Sequence, residues 1–434
     1  MNNKTLLYQK KLAFIFPLSL FFMIFDRLQV YPNVNMSMYR AVQIPILIII
    51  VIFLLGQKKL KFNLYNPMSI LLFGFLFSVL ISTFFAVYQE LSLIEARRII
   101  ELIILSYIMF FFIKYQWDEG SWVILAKMMM ISGAISGLSL FTDLFGWTHF
   151  YLLYSEAMLY IRPFGIFGEP NYAAGKLGIF LPFAFFCIVN YRNSKEYFQY
   201  SLSIICTFLI ITAIFFTGSR MGGVISIFSI FVFMTKEIKR LLSWKIMMSI
   251  IIVFLIILFI NIIFPIRINS LESPISYTKD SYNSLFQFLL TGEEISGRQS
   301  LITRVDLFRG GINIFLQYPL FGVGPGNFKY ISGKYLPIRM NEYSHNTFIT
   351  VLTEFGIIGF LFFIGICLRI IKNIYYYYKN STFQSFYFYL GLSFLNLLIV
   401  FFFLHDINDK YFWGMFVAIS MLLDNKKFLI NNKN

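Results

Sequence analysis

Residues 383–404 read FQSFYFYLGLSFLNLLIVFFFL and contain no charged side chain. The hydrocarbon core of a bilayer is about 30 Å thick, so a helix needs roughly 20 mainly apolar residues to cross it. In lipid, the backbone polar groups of such a stretch are satisfied only when they bond to one another within a helix. Residues 383–404 therefore predict a transmembrane helix.

The same pattern recurs along the chain, with polar breaks between the apolar runs. Of the 434 residues, 58% are hydrophobic and 13% charged, which is too apolar for the mixed surface of a soluble domain of this length. The sequence predicts one all-α polytopic membrane domain over residues 1–434, with about twelve transmembrane helices. These spans are expected at residues 11–25, 41–56, 67–87, 98–114, 121–142, 173–191, 199–217, 221–235, 246–264, 346–371, 383–404 and 408–424.

The formal charge of +15 is explained by topology. The cations are scattered over short breaks between spans instead of forming one basic face, which argues against a nucleic-acid partner. With a cytoplasmic N-terminus, most lysines fall on the cytoplasmic side, as the positive-inside rule requires. We expect a multi-pass protein of the cytoplasmic (inner) membrane with both termini in the cytoplasm.

One long polar segment, residues 265–345, separates the ninth and tenth predicted spans on the extracytoplasmic side. Loops of this length are usually functional or disordered. Residues 301–318 have apolar side chains at helical spacing, which predicts an amphipathic helix lying on the outer membrane surface. Pro319 is expected to end that helix.

Polar residues gather in four clusters on the predicted outer side, where ionisable groups close to the membrane mark functional sites by default. The clusters are RPFGIFGEPNY at 162–172, TGSR at 217–220, Arg304 and Arg309 followed by PLFGVGPGNF at 319–328, and SHN at 344–346.

Each cluster also has a structural interpretation. Arg220 could be a topological stop at a helix end. Arg304 and Arg309 could form the solvated face of a surface helix. Glu169 could cap the sixth span, and Gly356 is expected to serve packing.

His345 is the strongest candidate for acid–base chemistry, because imidazole titrates near neutral pH and this histidine lies at a junction between loop and span. His405 beside Asp406 is a rival pair with the same chemistry. The three cysteines fall inside apolar runs without ligand spacing, and the outer side has no Asp-rich or His-rich metal cluster. Arginines with one base suit a reaction whose leaving group is a phosphate, with a lipid-linked sugar diphosphate as the donor.

The order of the motifs resembles the O-antigen ligase and polymerase superfamily of bacterial surface-polysaccharide assembly. EPN at 169–171 comes first, TGSR at 217–220 second, PLFGVGPGNF at 319–328 third and SHN at 344–346 last. The resemblance covers residues 160–370. It implies a GT-C-like membrane fold and an inverting glycosyltransferase that needs neither a metal nor a cofactor.

The resemblance also implies roles for individual residues. His345 matches the base that deprotonates the acceptor hydroxyl. Arg220 and Arg304 match arginines that hold undecaprenyl diphosphate, and Glu169 matches an acidic residue near the donor. Proximity adds two further arginines to the diphosphate-binding set, Arg162 and Arg309.

The acceptor is left open by these motifs. A ligase passes the glycan to a lipid A core sugar, a polymerase to another lipid-linked saccharide, and a protein O-oligosaccharyltransferase to Ser or Thr. A chain-length regulator or a flippase would be an accessory partner. A different class, a flippase or transporter of lipid-linked oligosaccharide, is the alternative, and Lys127 and Lys176 lie within or near spans as it would require.

Overall fold

The computed structural model describes residues 14–26, 37–56, 66–116, 119–148, 163–241, 298–335 and 342–431. All regular elements within these ranges are helices, which confirms the all-α class. They are α1 (Ile15–Phe22), α2 (Met38–Leu55), α3 (Pro67–Phe84), α4 (Gln89–Gln116), α5 (Glu119–Leu144), α6 (Pro170–Asn193), α7 (Tyr197–Phe216), α8 (Arg220–Leu241), α9 (Arg298–Gln317), α10 (Phe328–Ser332), α11 (Thr347–Asn380), α12 (Gln384–Phe403) and α13 (Ala418–Asn431), with a π-helical turn, Phe412–Val417, before α13.

Six helices in the described ranges are long and apolar enough to cross a membrane, and each coincides with a predicted span. They are Pro67–Phe84, Gly120–Leu144, Pro170–Asn193, Tyr197–Phe216, Thr347–Asn380 and Gln384–Phe403. Three shorter apolar helices match predicted spans at the two ends of the chain: Ile15–Phe25, Tyr39–Ile52 and Phe412–Asn425. The predicted span 246–264 lies outside the described residues, so the count of twelve stays a prediction.

Helix α6 forms the centre of the bundle. Its apolar window is 94% buried, whereas that of α7 is only 39% buried, so α6 is surrounded by protein. It packs against α5, α7, α8 and α12. Glycines permit the closest approaches: a side chain at Gly178 would meet Ile225 of α8, and one at Gly175 would meet Val400 of α12.

Helix α11 is broken at Gly356, where φ is 65° and ψ is −169°. In an unbroken helix the N–H of Ile357 would bond to the carbonyl of Thr353. Here Ile357 N donates to the carbonyl of Pro319 (2.8 Å), and the Thr353 carbonyl accepts from Val323 N (2.9 Å). The PLFGVGPGNF segment therefore replaces the hydrogen bonds that the helix lacks.

The helix predicted at residues 301–318 is confirmed: it is α9, which ends at Gln317, two residues before Pro319. Its inner face buries Leu307 and Ile314 together with Phe328 and Ile349. The membrane-facing role predicted for the helix is untested, but its other flank does expose apolar side chains. These are Val305, Phe308 and Leu316.

Gly356→Ala should destabilise the protein strongly. An added methyl group would collide with the Leu320 carbonyl, and the positive φ of residue 356 is a backbone conformation that alanine rarely adopts. Gly146→Ala is the matched control, since Gly146 has φ of 67° with no atom within 4 Å of an added Cβ. The control should lose about 1–2 kcal/mol from its backbone conformation alone. Thermal unfolding followed by size-exclusion chromatography in detergent measures both. Equal losses in the two variants would contradict the docking of 319–324 in the break.

Candidate active site

His345 occupies a tight turn with an unusual backbone. Its φ is 49°, in the left-handed region that side chains other than glycine rarely adopt. The amide N–H of Asn346 donates to Ser344 Oγ (3.1 Å), and the side chain of Asn346 caps α11 by accepting from Ile349 N (3.0 Å). Such a conformation costs on the order of 1–3 kcal/mol and persists only where the surroundings impose it.

The surroundings of this turn are the residues that follow α12. Asn346 Nδ2 donates to the carbonyl of Phe402 (3.0 Å), and Thr347 Oγ1 donates to the carbonyl of Leu404 (2.8 Å). The N–H of Asp406 in turn donates to Thr347 Oγ1 (3.0 Å). Three hydrogen bonds thus attach the His345 turn to the segment 402–406, which we call the α12 exit loop.

Charged residues from separate parts of the chain act on His345. Burial lowers the pKa of His345, the positive charge of Arg304 lowers it further, and the carboxylates of Glu169 and Glu342 act in the opposite direction. The fold therefore brings Arg304 and Glu169 close enough to His345 for their charges to act on it. With its pKa below the ordinary value of 6.5, His345 is neutral at pH 7 and can accept a proton.

Glu169 has two structural connections. Its carboxylate caps α6 by accepting from Asn171 N (3.0 Å) and Tyr172 N (2.7 Å). It is also one of the charges that act on His345. The capping interpretation is therefore correct, and it is compatible with a position in the site.

Arg220 is half-buried and begins α8 directly after the turn at 217–219. Gly218 supplies a positive φ of 62°, and Ser219 N donates to Thr217 Oγ1 (3.2 Å). A side chain at Gly222 would meet Ala174 near the start of α6, so Arg220 lies at the same end of the bundle as Glu169.

The other two predicted arginines are less well placed. Arg309 is exposed, whereas Arg304 on the same helix is half-buried. Arg162 lies outside the described residues. The roles of Arg162, Arg220 and Arg309 stay predictions, as do those of His345, Arg304 and Glu169.

His405 is a neighbour of His345 that the sequence suggested only as a rival. Its Nδ1 lies 2.8 Å from Thr350 Oγ1, and its ring stacks on Tyr343 at a centroid distance of 5.0 Å. Burial lowers the pKa of His405 to about 4, with the carboxylate of Asp406 acting in the opposite direction and a charge on His345 in the same one. Because the two histidines lie on different segments, no spacing in the sequence could pair them.

A buried ion network lies beside the α12 exit loop. Lys176 of α6 pairs with Asp406 (3.0 Å) and Asp409, and its ammonium lies 4.4 Å from the centroid of the Tyr172 ring. Lys176, Asp406 and Asp409 are all buried. The intramembrane lysine noted in the sequence is therefore neutralised within the protein.

No group of three or more His, Cys, Asp or Glu side chains within the described ranges is arranged to hold a metal ion. Arg304 and Arg220 are cations at this end of the bundle that could bind an anion, and the ammonium of Lys329 lies 4.8 Å from the centroid of the Tyr343 ring, two positions before His345.

The fold and this cluster define the class of protein: an integral membrane protein of packed apolar helices that gathers a histidine, an arginine and a carboxylate at one end. Residues 205–364 match a family model described as O-antigen ligase. This match confirms the resemblance to the O-antigen ligase and polymerase superfamily, and the family is one of membrane glycosyltransferase-like enzymes. The match includes Arg220, Arg304 and His345. No curated protein matches the sequence.

The charges around His345 predict opposite pKa shifts in two variants. Arg304→Gln removes a positive neighbour and should raise the pKa of His345, whereas Glu342→Gln removes a negative neighbour and should lower it. NMR titration of histidine Cε1, with His345→Gln to assign the signal, measures both shifts. Arg97→Gln is the control, because Arg97 is an exposed arginine paired with Glu101. Shifts of the same sign in the two variants would rule out this arrangement of charges.

Proposed function

We propose that this protein transfers a preassembled glycan from undecaprenyl diphosphate to a hydroxyl acceptor at the outer face of the cytoplasmic membrane. The observation that carries the proposal is a buried histidine, fixed in a strained turn at one end of a membrane bundle, where the charges of Arg304 and Glu169 act on it. Among the described residues, the opposite end of the bundle carries lysines at several helix ends, including Lys195, Lys372 and Lys379, which supports its assignment to the cytoplasm by the positive-inside rule.

The reaction uses this chain's residues in two roles. His345 takes the proton of the acceptor hydroxyl as the oxygen attacks the anomeric carbon from the side opposite the diphosphate. The bond between that carbon and the diphosphate oxygen breaks, its electron pair leaves with the diphosphate, and the configuration inverts. Arg304 and Arg220, joined by Arg162 and Arg309, stabilise the charge that develops on the leaving group.

Glu169 has a supporting role in this scheme. Its negative charge raises the pKa of His345, which counteracts burial and Arg304 and favours the imidazolium formed when the proton is taken. Because the same carboxylate caps α6, the acidic group is fixed by backbone N–H groups and needs no rearrangement during transfer.

Flippase or transporter activity is the second candidate, because the break in α11 is of the kind that transporters use to bind substrates. In this chain, however, segment 319–324 fills the break, and the nearby carboxylate of Glu354 accepts from Phe328 N (3.2 Å). Both the broken helix and Lys176 have partners within the protein, which favours transfer over transport.

A transfer assay with the purified chain in nanodiscs tests the proposal. Lipid-linked glycan is offered with a lipid A core saccharide, a second lipid-linked repeat or a Ser/Thr peptide. The acceptor that yields a glycosylated product identifies the acceptor class. His345→Ala should lower the rate by about 10²–10⁴-fold, the usual contribution of a general base. Arg304→Ala and Arg220→Ala should also lower it, because the leaving diphosphate loses a charged partner.

Arg97→Ala serves as the matched arginine control, since its side chain is 68% exposed and pairs with Glu101. It should retain the wild-type rate. Full activity of both His345→Ala and Arg220→Ala at unaltered expression would refute the mechanism. Movement of lipid-linked glycan across the bilayer without any new glycosidic bond would favour the flippase.

The same assay tests the absence of a metal requirement. Excess EDTA should leave the transfer rate unchanged, because arginines would bind the leaving diphosphate in place of a divalent ion. Loss of activity in EDTA that magnesium or manganese restores would contradict this expectation.

A further inference from the structure

His405 is the second histidine at the candidate active site, and the proposed reaction gives it no role. It is half-buried and close enough to His345 for a charge on that ring to act on it. Burial lowers its pKa to about 4, so the ring is neutral at pH 7 and carries one N–H donor and one acceptor nitrogen. A neutral imidazole of this kind forms hydrogen bonds but is too weak a base to compete with His345 for a proton.

Two contacts fix the orientation of the His405 ring. Its Nδ1 lies 2.8 Å from Thr350 Oγ1, which sets the rotation of the ring, and its face stacks on the Tyr343 ring with an interplanar angle of 16°, which sets its plane. Thr350 Oγ1 is itself held 2.5 Å from Ser344 Oγ and 3.0 Å from the Asn346 carbonyl. A side chain locked in this way is preorganised to bind a substrate group.

Both histidines have ring nitrogens available to a substrate. Nδ1 of His405 is occupied by Thr350, and no residue in the described ranges bonds to Nε2, on the other side of the ring. The ring of His345 likewise forms no hydrogen bond to any residue in these ranges. Both histidines are half-buried, so their remaining nitrogens can meet a molecule that enters the site.

The surface beside the two histidines carries an aromatic ring and a cation. Tyr343 is 45% exposed although it stacks on His405, and the ammonium of Lys329 lies 4.8 Å from its ring centroid. Tyrosine combines an apolar ring with a polar hydroxyl. Sugar rings combine apolar C–H faces with hydroxyl groups, so this surface matches the mixed polarity of a saccharide.

We propose that His405 binds a second hydroxyl of the acceptor, next to the hydroxyl that His345 deprotonates, and that the acceptor is therefore a saccharide rather than a Ser or Thr side chain. This inference rests on the proposed function. A sugar presents hydroxyls on neighbouring carbons, so one can bond to His405 Nε2 while the other reaches His345. A Ser or Thr side chain has a single hydroxyl and leaves His405 Nε2 without that partner.

The dependence of the transfer rate on acceptor concentration tests this role, in nanodiscs and with the saccharide acceptor that the wild-type chain uses. His405→Asn keeps an amide at the Nδ1 position for Thr350 and removes Nε2. It should raise the acceptor KM about 2–10-fold at unchanged kcat, the usual effect of losing one neutral hydrogen bond. His405→Gln places an amide at the Nε2 position and should restore part of the affinity.

A pair of threonine variants tests the anchor of the ring. Thr350→Val removes the partner of His405 Nδ1 and should raise the same KM, because the ring is no longer held in one rotation. Thr353→Val is the matched control: Thr353 Oγ1 bonds to carbonyls of its own helix, Ile349 (2.8 Å) and Thr350 (3.0 Å). It should keep the wild-type KM. Thermal unfolding reports whether each variant is folded, and equal effects of the two substitutions would overturn the inference.

A binding measurement separates this inference from the proposed function. Lipid A core saccharide, the oligosaccharide released from the donor, and the Ser/Thr peptide are titrated without donor into the purified full chain. The histidine Cε1 signals are followed by NMR, with His405→Gln to assign the signal of His405. A saccharide should shift that signal, and the peptide should not.

The outcomes of the two measurements are distinct. An unchanged saccharide KM in His405→Asn, while transfer proceeds, would overturn the inference and leave the proposed function standing. A preference of the wild-type chain for the peptide, or a His405 signal that neither saccharide moves, would overturn the inference as well. A saccharide that shifts the His405 signal while no acceptor is glycosylated would support the binding site and refute the proposed function.

Discussion

The break in α11 places a demand on the rest of the fold, because a backbone group left unbonded inside a membrane helix costs several kcal/mol. Segment 319–324 meets that demand by accepting from Ile357 N and donating to the carbonyls of Thr353 and Glu354. The segment follows directly from α9, so its attachment to α11 also fixes where α9 lies. Arg304 on α9 and His345 at the start of α11 are therefore held in one arrangement by main-chain hydrogen bonds, whose geometry does not depend on long side chains.

The position of His345 depends on a second set of polar contacts. The strained turn at His345 is attached to the α12 exit loop by Asn346 and Thr347, and the same loop carries His405 and Asp406. Asp406 also forms an ion pair with Lys176 of α6, the central helix. The position of His345 is thus fixed relative to α6, the most buried helix and the one that Glu169 caps. The carboxylate and the histidine share a common support, although 176 positions separate them in the chain.

The sequence predicted the parts of this structure that local chemistry determines. Uncharged apolar runs such as 383–404 became membrane-length helices, and Pro319 ended α9 because proline cannot continue a helix. The family motifs pointed to Glu169, Arg304 and His345, and the charges of the first two do act on His345, while the catalytic roles of all three stay predictions. The break at Gly356 was not predicted, because glycine is common inside membrane helices and the bonding partner lies more than thirty residues earlier. The proximity of His405 was missed for a similar reason: only the return of the chain along α12 brings it to His345, and no local pattern encodes that path.

The buried pairing of Lys176 with Asp406 and Asp409 has a consequence for biogenesis. The partners are separated by 230 and 233 residues, so α6 leaves the ribosome long before the acidic residues exist. Until then, the charge of Lys176 in the second turn of α6 lacks these two partners. A lysine at the centre of a membrane helix costs about 2.5–3.5 kcal/mol on insertion scales, and a lysine nearer a helix end costs less. The compensating charges follow α12 in the chain, so the core of the bundle reaches its final electrostatic state only after residue 409 has been synthesised. A chain that stops before residue 406 would leave an uncompensated cation in its central helix.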